Sequence, residues 1–119
     1  MADFSAKEAP VGTGRRIFDA AKTGDVAALR PLVQQWSENE VLNWSNPDDN
    51  GHTPLVVASD EGYTEAVEVL LAAPGIRVNS AGGTGWTAIN RAAGQGHIEI
   101  VRALLAAPYI DVNHAHPDG

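Results

Sequence analysis

Apolar residues along the chain fall into short bursts at three- and four-residue spacing, most of them closed by a glycine or a proline. Ile17, Phe18, Ala20 and Ala21 form a first face that starts at Arg15 and breaks at Gly24, and Val26, Leu29, Leu32 and Val33 form a second. This spacing predicts amphipathic helices. Pro31 lies inside the second burst and predicts a helix that bends or breaks early, because proline lacks the N–H and crowds the preceding turn. Trp36 to Asn50 is polar and turn-rich. Leu55 to Ala58 then predict a helix with Thr53 as N-cap and Pro54 at the first position, where no N–H is needed. Gly62 suits the left-handed or tight turn that ends it. Tyr63 or Thr64 opens the next helix, with Val67, Leu70 and Leu71 on its face. Pro74 stops it, and Ile76, Val78 and Asn79 read as a short extended finger.

The pattern repeats. Displaced by 34 residues, Gly51–Asn79 falls on Gly85–Asn113 with 14 of 29 positions identical, among them Thr53, Ala58, Gly62, Leu70, Leu71, Pro74, Val78 and Asn79. A period of this length marks stacked supersecondary units, none of which can bury its apolar face alone. Helices near ten residues long depend on that packing. Ala58, Ala72, Ala92, Ala93 and Ala106 are expected to let helices of neighbouring units approach closely.

Gly51-His52-Thr53-Pro54-Leu55, Ala58, Gly62, Val67, Leu70-Leu71 and Val78-Asn79 resemble the ankyrin repeat family. So do Gly85-Trp86-Thr87-Ala88-Ile89, Ala92-Ala93, Gly96-His97, Leu104-Leu105 and Val112-Asn113 in the next unit. Ile17 to Asp25 is similar to the first, capping repeat of such proteins, without a finger in front. The resemblance implies an all-α solenoid of stacked helix-turn-helix repeats with β-hairpin or finger loops. The expected division is a flexible tail over 1–14 and a repeat domain over 15–119, with units at 15–50, 51–84 and 85–119. The family's usual histidine after Thr-Pro-Leu, which bonds neighbouring repeats, is replaced by Val56 and Asn90. Asn90 is expected to keep a polar bridge and Val56 to lose it. The first unit is longer by about four residues than the period, which predicts a longer helix or loop and a longer finger. One of Trp36 and Trp44 is expected on the core and the other exposed.

The formal charge is −7, and between Pro31 and Ile76 there is no Lys or Arg. An acidic middle repels nucleic-acid phosphates and anionic lipid and attracts a basic protein patch; the same stretch also reads as a solvated face. The 119 residues include no cysteine. With no secretory leader or spanning segment in view, the expected location is cytoplasmic or nuclear. Pro117-Asp118-Gly119 falls where a further unit would open. This suggests a fragment of a longer array, or self-association through an uncapped last repeat.

Enzymatic motifs are missing. Gly82-Gly83-Thr84-Gly85 lacks the spacing and lysine of a phosphate loop. His114 and His116 are two imidazoles, too few for a firm metal site. Neither a catalytic residue, nor a metal, nor a cofactor is expected. The resemblance places the interaction face on finger tips and the exposed side of each first helix. Carried over by position, that gives Lys22 and Thr23; Asp49, Asn50, His52, Asp60 and Glu61; and Gly83, Thr84, Trp86, Gly94 and Gln95. Asp49, Asp60 and Glu61 would meet an Arg- or Lys-bearing protein segment, and Trp86 would anchor it. Packing against the neighbouring finger is the other reading of Trp86. The alternative function is a spacer or regulatory segment of a longer array or multidomain enzyme. Asn79 and Asn113 lie in a context similar to that of hydroxylated ankyrin asparagines; turn bonding is their structural reading.

Overall fold

The computed structural model describes residues 8–81, 83 and 85–112. Six helices form three antiparallel pairs: α1 (Thr13–Thr23) with α2 (Val26–Gln35), α3 (Pro54–Glu61) with α4 (Thr64–Leu71), and α5 (Ala88–Gln95) with α6 (Ile98–Leu105). α1 packs on α3 and α3 on α5, giving an inner layer; α2, α4 and α6 stack in the same order as the outer layer.

Local chemistry sets the helix ends. The Thr53 hydroxyl accepts from Val56 N–H, and the Thr87 hydroxyl accepts from Asn90 N–H, at 3.3 Å each. Gly24, Gly62 and Gly96 close the first helix of each pair with φ of 71°, 88° and 77°, the left-handed region that disfavours a Cβ. α1 begins at Thr13, which is buried with Gly14, so the helix starts two residues ahead of the Arg15 expected from the apolar pattern. α2 runs through Pro31 to Gln35 rather than breaking. The bond that proline removes belongs to the Ala27 carbonyl, which lies on an exposed residue and can be met by water.

The extra length of the first unit goes into α2 and into a 3-10 turn at Glu40–Asn43. That turn drives Leu42 fully into the core, against α1 and α3. Trp36 is buried as well. Trp44 is half-buried rather than exposed: its ring meets Phe18 edge-on at 6.1 Å and lies against Gly14, where a Cβ would fall 2.5 Å from the indole. No strand forms among the described residues, so the hairpin expectation reduces to one antiparallel bridge between Asn46 and His52.

Side-chain amides take over the bonding that strands would have supplied. Asn43 Nδ2 donates to the Gly75 carbonyl at 2.9 Å while its Oδ1 accepts from Arg77 N–H at 2.8 Å. One unit on, Asn79 Nδ2 donates to the Tyr109 carbonyl and its Oδ1 accepts from Asp111 N–H, both at 2.7 Å. Each finger asparagine thus clamps the turn after the second helix of the next repeat. Asn79 has the turn-bonding role; Asn113 lies outside the described residues.

A second contact recurs at the glycine turns. A Cβ on Gly24 would stand 2.7 Å from the Tyr63 ring, and one on Gly62 would stand 2.7 Å from the His97 ring. The residue that opens each second helix therefore covers the preceding repeat's glycine. His97 Nε2 lies 3.0 Å from the Asp60 carbonyl, which only accepts, so Nε2 carries the proton. This is the polar link between repeats. The Asn90 side chain does not supply it: its Oδ1 accepts from Thr87 N–H within its own repeat, completing a capping box. Of the alanines, Ala58 and Ala92 are fully buried, whereas Ala72, Ala93 and Ala106 are exposed.

Gly62→Ala and Gly96→Ala carry the same left-handed penalty of about 1–2 kcal/mol. Only Gly62→Ala also displaces the His97 ring and its bond to Asp60, worth about 1 kcal/mol more. Urea unfolding is expected to show the larger loss for Gly62→Ala.

Candidate functional site

The inner helices and finger tips form one surface. Ion pairs run across it: Arg15–Asp48 at 3.0 Å and Lys22–Asp49 at 2.6 Å between the first helix and the finger of the first unit, and Arg91–Asp60 at 2.7 Å between the third unit and the second. On the outer side, Arg30–Glu65 and Arg77–Glu40 do the same at 2.7 and 2.8 Å. The acid-only stretch of the sequence is thus met by bases that fold onto it from the chain segments on either side. Of its eight acids, five are paired in this way, and Glu38, Glu61 and Glu68 make no ion pair among the described residues. Exposed pairs of this kind contribute about 0.2–1 kcal/mol each. Arg91–Asp60 is the most sheltered, with both side chains less than a third exposed, and Gln95 Nε2 adds a bond to Asp60 at 3.0 Å.

Beside that pair, Trp86, Asn90, Arg91, Gly94 and Gln95 line a shallow depression of about 230 Å³. Trp86 is half-buried, and the Arg91 guanidinium lies 5.8 Å from its ring centroid. Gly94 leaves the depression open, since a Cβ there meets nothing within 4 Å.

The expected contact residues divide accordingly. Glu61, Gly94 and Gln95 are exposed on this surface, and Trp86 stands half-open beside them. Lys22, Asp49 and Asp60 are on it but already paired, Lys22 with Asp49 and Asp60 with Arg91. Asn50 and Gly83 join the finger tips: Gly83 N–H donates to the Asn50 carbonyl at 2.7 Å. Thr23 instead lines a groove between α1 and α2 at the outer end of the first repeat, with its hydroxyl donating to the Asp19 carbonyl at 2.9 Å. His52 is buried, which removes it from any contact surface. Thr84 lies outside the described residues, as do His114 and His116. Arg15, Asp48 and Arg91 belong to the surface and were not singled out by position. Their partners lie 33 and 31 residues away, off the 34-residue period, so alignment in register does not pair them.

His52 sits under the finger, with Nδ1 3.7 Å from Asp49 Oδ1 and Nε2 buried without a partner. Burial holds its pKa below the ordinary 6.5, against the opposing pull of Asp49. Lys22 is shifted the other way, above 10.5, chiefly by its hydrogen bond to Asp49.

No helix among the described residues is long and apolar enough to cross a membrane, and none of their His, Asp or Glu side chains gather in threes at metal-binding distance. The class is a stack of helix pairs whose repeated unit presents turns and inner helices on one side. The family profile described as ankyrin repeats (3 copies) matches residues 17–116. The chain belongs to the ankyrin repeat family, whose members are protein–protein interaction modules and typically non-enzymatic. It is also similar to "Protein fem-1 homolog C" of Danio rerio, 40% identical over 55 residues; the match covers 46% of this chain and 9% of that protein's length.

Because burial lowers the pKa of native His52 below the ordinary 6.5 of the unfolded chain, the unfolded state binds more protons as pH falls through that range. Stability from this group is therefore full above about 6.5 and falls as pH drops towards the native pKa. Urea midpoints measured from pH 7 to 5 are expected to fall more steeply for the parent than for His52→Gln.

Proposed function

We propose that the chain is a non-catalytic protein-interaction module that takes an Arg- or Lys-bearing partner segment across its inner helices, at the Trp86 depression. The observation that carries this reading is the position of Glu61. It is an exposed carboxylate of the inner layer without an ion pair among the described residues, next in sequence to Asp60, which Arg91 and Gln95 of the Trp86 depression hold. A partner segment lying across these inner helices would meet the Glu61 carboxylate and the half-buried indole at separate points, a pairing that favours arginine or lysine beside apolar contact. Asp49 and Asp60 act at longer range, because Lys22 and Arg91 already hold them. Charge would speed encounter, and the half-open Trp86 would supply contact area. The absence of cysteine from the 119 residues supports a cytoplasmic or nuclear setting for that encounter.

The test is an array of Arg- and Lys-bearing peptides read by fluorescence anisotropy against the full chain. Glu61→Lys is expected to weaken the best binder at least about fivefold, of the order of 1 kcal/mol. Glu68→Lys, the same charge change on the outer groove with Arg30 and Glu65, is expected to leave it unchanged. Equal losses from the two variants would reduce the effect to net charge and sink the assignment of the site.

A further inference from the structure

The chain has seven asparagines, six of them among the described residues. Five of the six have the side-chain oxygen held by a backbone N–H. Asn39 accepts from Val41, Asn43 from Arg77, Asn46 from Asp48, Asn79 from Asp111 and Asn90 from Thr87, at 2.7 to 3.2 Å. Asn50 is the exception. It is exposed at the tip of the first finger, and its side-chain amide makes no hydrogen bond among the described residues.

Asn50 is also the one asparagine followed by a glycine. That neighbour decides the chemistry open to a free side-chain amide. The Gly51 nitrogen can attack Asn50 Cγ and close a cyclic imide. The side-chain nitrogen leaves as ammonia, carrying the proton that Gly51 gives up. Water then opens the ring at either carbonyl, leaving aspartate or its β-linked isomer, isoaspartate. The balance is one water taken up and one ammonia released, with nothing oxidised or reduced. Glycine hinders the closure least, because it has no Cβ. The other asparagines are less well placed: Pro47 offers no N–H behind Asn46, and Arg91 N–H behind Asn90 is committed to the Thr87 carbonyl.

The folded finger restrains this step. Closure needs Asn50 Cβ and the Gly51 nitrogen on the same side of the Cα–C bond. The left-handed backbone of Asn50, with φ 57° and ψ 23°, holds them apart. Two bonds keep it there. Gly51 N–H, the attacking group, donates to the Asn46 carbonyl at 2.8 Å, and the Asn50 carbonyl accepts from Gly83 N–H of the next finger at 2.7 Å. A Cβ on Gly83 would stand 2.5 Å from that carbonyl, so the tie depends on glycine at both tips.

We propose that Asn50 is a site of spontaneous deamidation in the native protein, gated by the Gly83 contact between the two fingers. Local opening of the tip frees the peptide to rotate and the ring to close. The two products differ in effect. Aspartate tolerates the left-handed region much as asparagine does, and adds a carboxylate beside Asp48 and Asp49. Isoaspartate puts an extra carbon into the main chain of the turn closed by the Asn46–His52 bridge, so the bonds to Asn46 and Gly83 cannot both survive. The modified protein carries a more acidic and looser finger tip.

The test incubates the full chain, folded, at neutral pH and body temperature, and follows every asparagine by peptide mapping with mass spectrometry. Asn50 is expected to convert first, giving aspartate and isoaspartate together, the signature of the cyclic imide. Gly83→Ala is expected to speed that conversion about fivefold, the gain in opening from one lost hydrogen bond. The parent unfolded in urea supplies a measurement that needs no variant to fold. There Asn50 is expected to convert faster than in the folded chain, and Asn79 to begin converting once its clamp is gone. Conversion that starts at another asparagine of the folded chain would overturn the site. So would a folded Asn50 still intact when the unfolded one has fully converted. A folded Gly83→Ala that converts no faster than the parent would overturn the gate, as would equal rates in the folded and unfolded chain.

Discussion

No helix pair in this protein can bury its own apolar side, and everything else follows from the way each pair borrows the next. Helices of eight to eleven residues are too short to stand alone. The repeat-to-repeat contact supplies what they lack: burial of residues such as Leu55, Leu70 and Leu104, a ring seated over the glycine turns at Gly24 and Gly62, and a finger asparagine clamping the following turn. These contacts are directional, so the stack has distinct ends.

Electrostatics follows the same logic. A stretch from Pro31 to Ile76 without a single base looks, as a sequence, like a surface waiting for a basic partner. In the folded chain most of its carboxylates meet Arg15, Lys22, Arg30, Arg77 and Arg91 from the flanking segments of the chain. Three of these pairs, Arg30–Glu65, Arg77–Glu40 and Arg91–Asp60, join neighbouring repeats, and two tie the first helix to the first finger. The charge left for a partner is correspondingly local, which shifts attention from the acidic stretch as a whole to Glu61.

Much of the architecture was legible because it is local. Thr53, Thr87, Gly24, Gly62 and Gly96 cap helices through backbone chemistry that a sequence shows directly. Pro31 was misleading because its cost falls on one exposed carbonyl and the helix is held from outside by packing. The fate of Asn90 depended on a choice between two reachable partners, its own N-cap or the neighbouring repeat, and the capping box won. His52 looked like a surface residue because the family's finger position is usually open, yet the tight Asn46–His52 bridge folds it under. The ion pairs were illegible because long side chains reach partners at separations that differ from the repeat period by varying amounts.

Native-state hydrogen exchange over the full chain tests the central claim, that stability here is made at repeat interfaces. Helices covered on both sides, α3 and α4, are expected to exchange slowest, with α6 the fastest of the outer layer. If α6 amides exchange as slowly as those of α4, the last repeat does not depend on a neighbour, and the account of the stack is wrong.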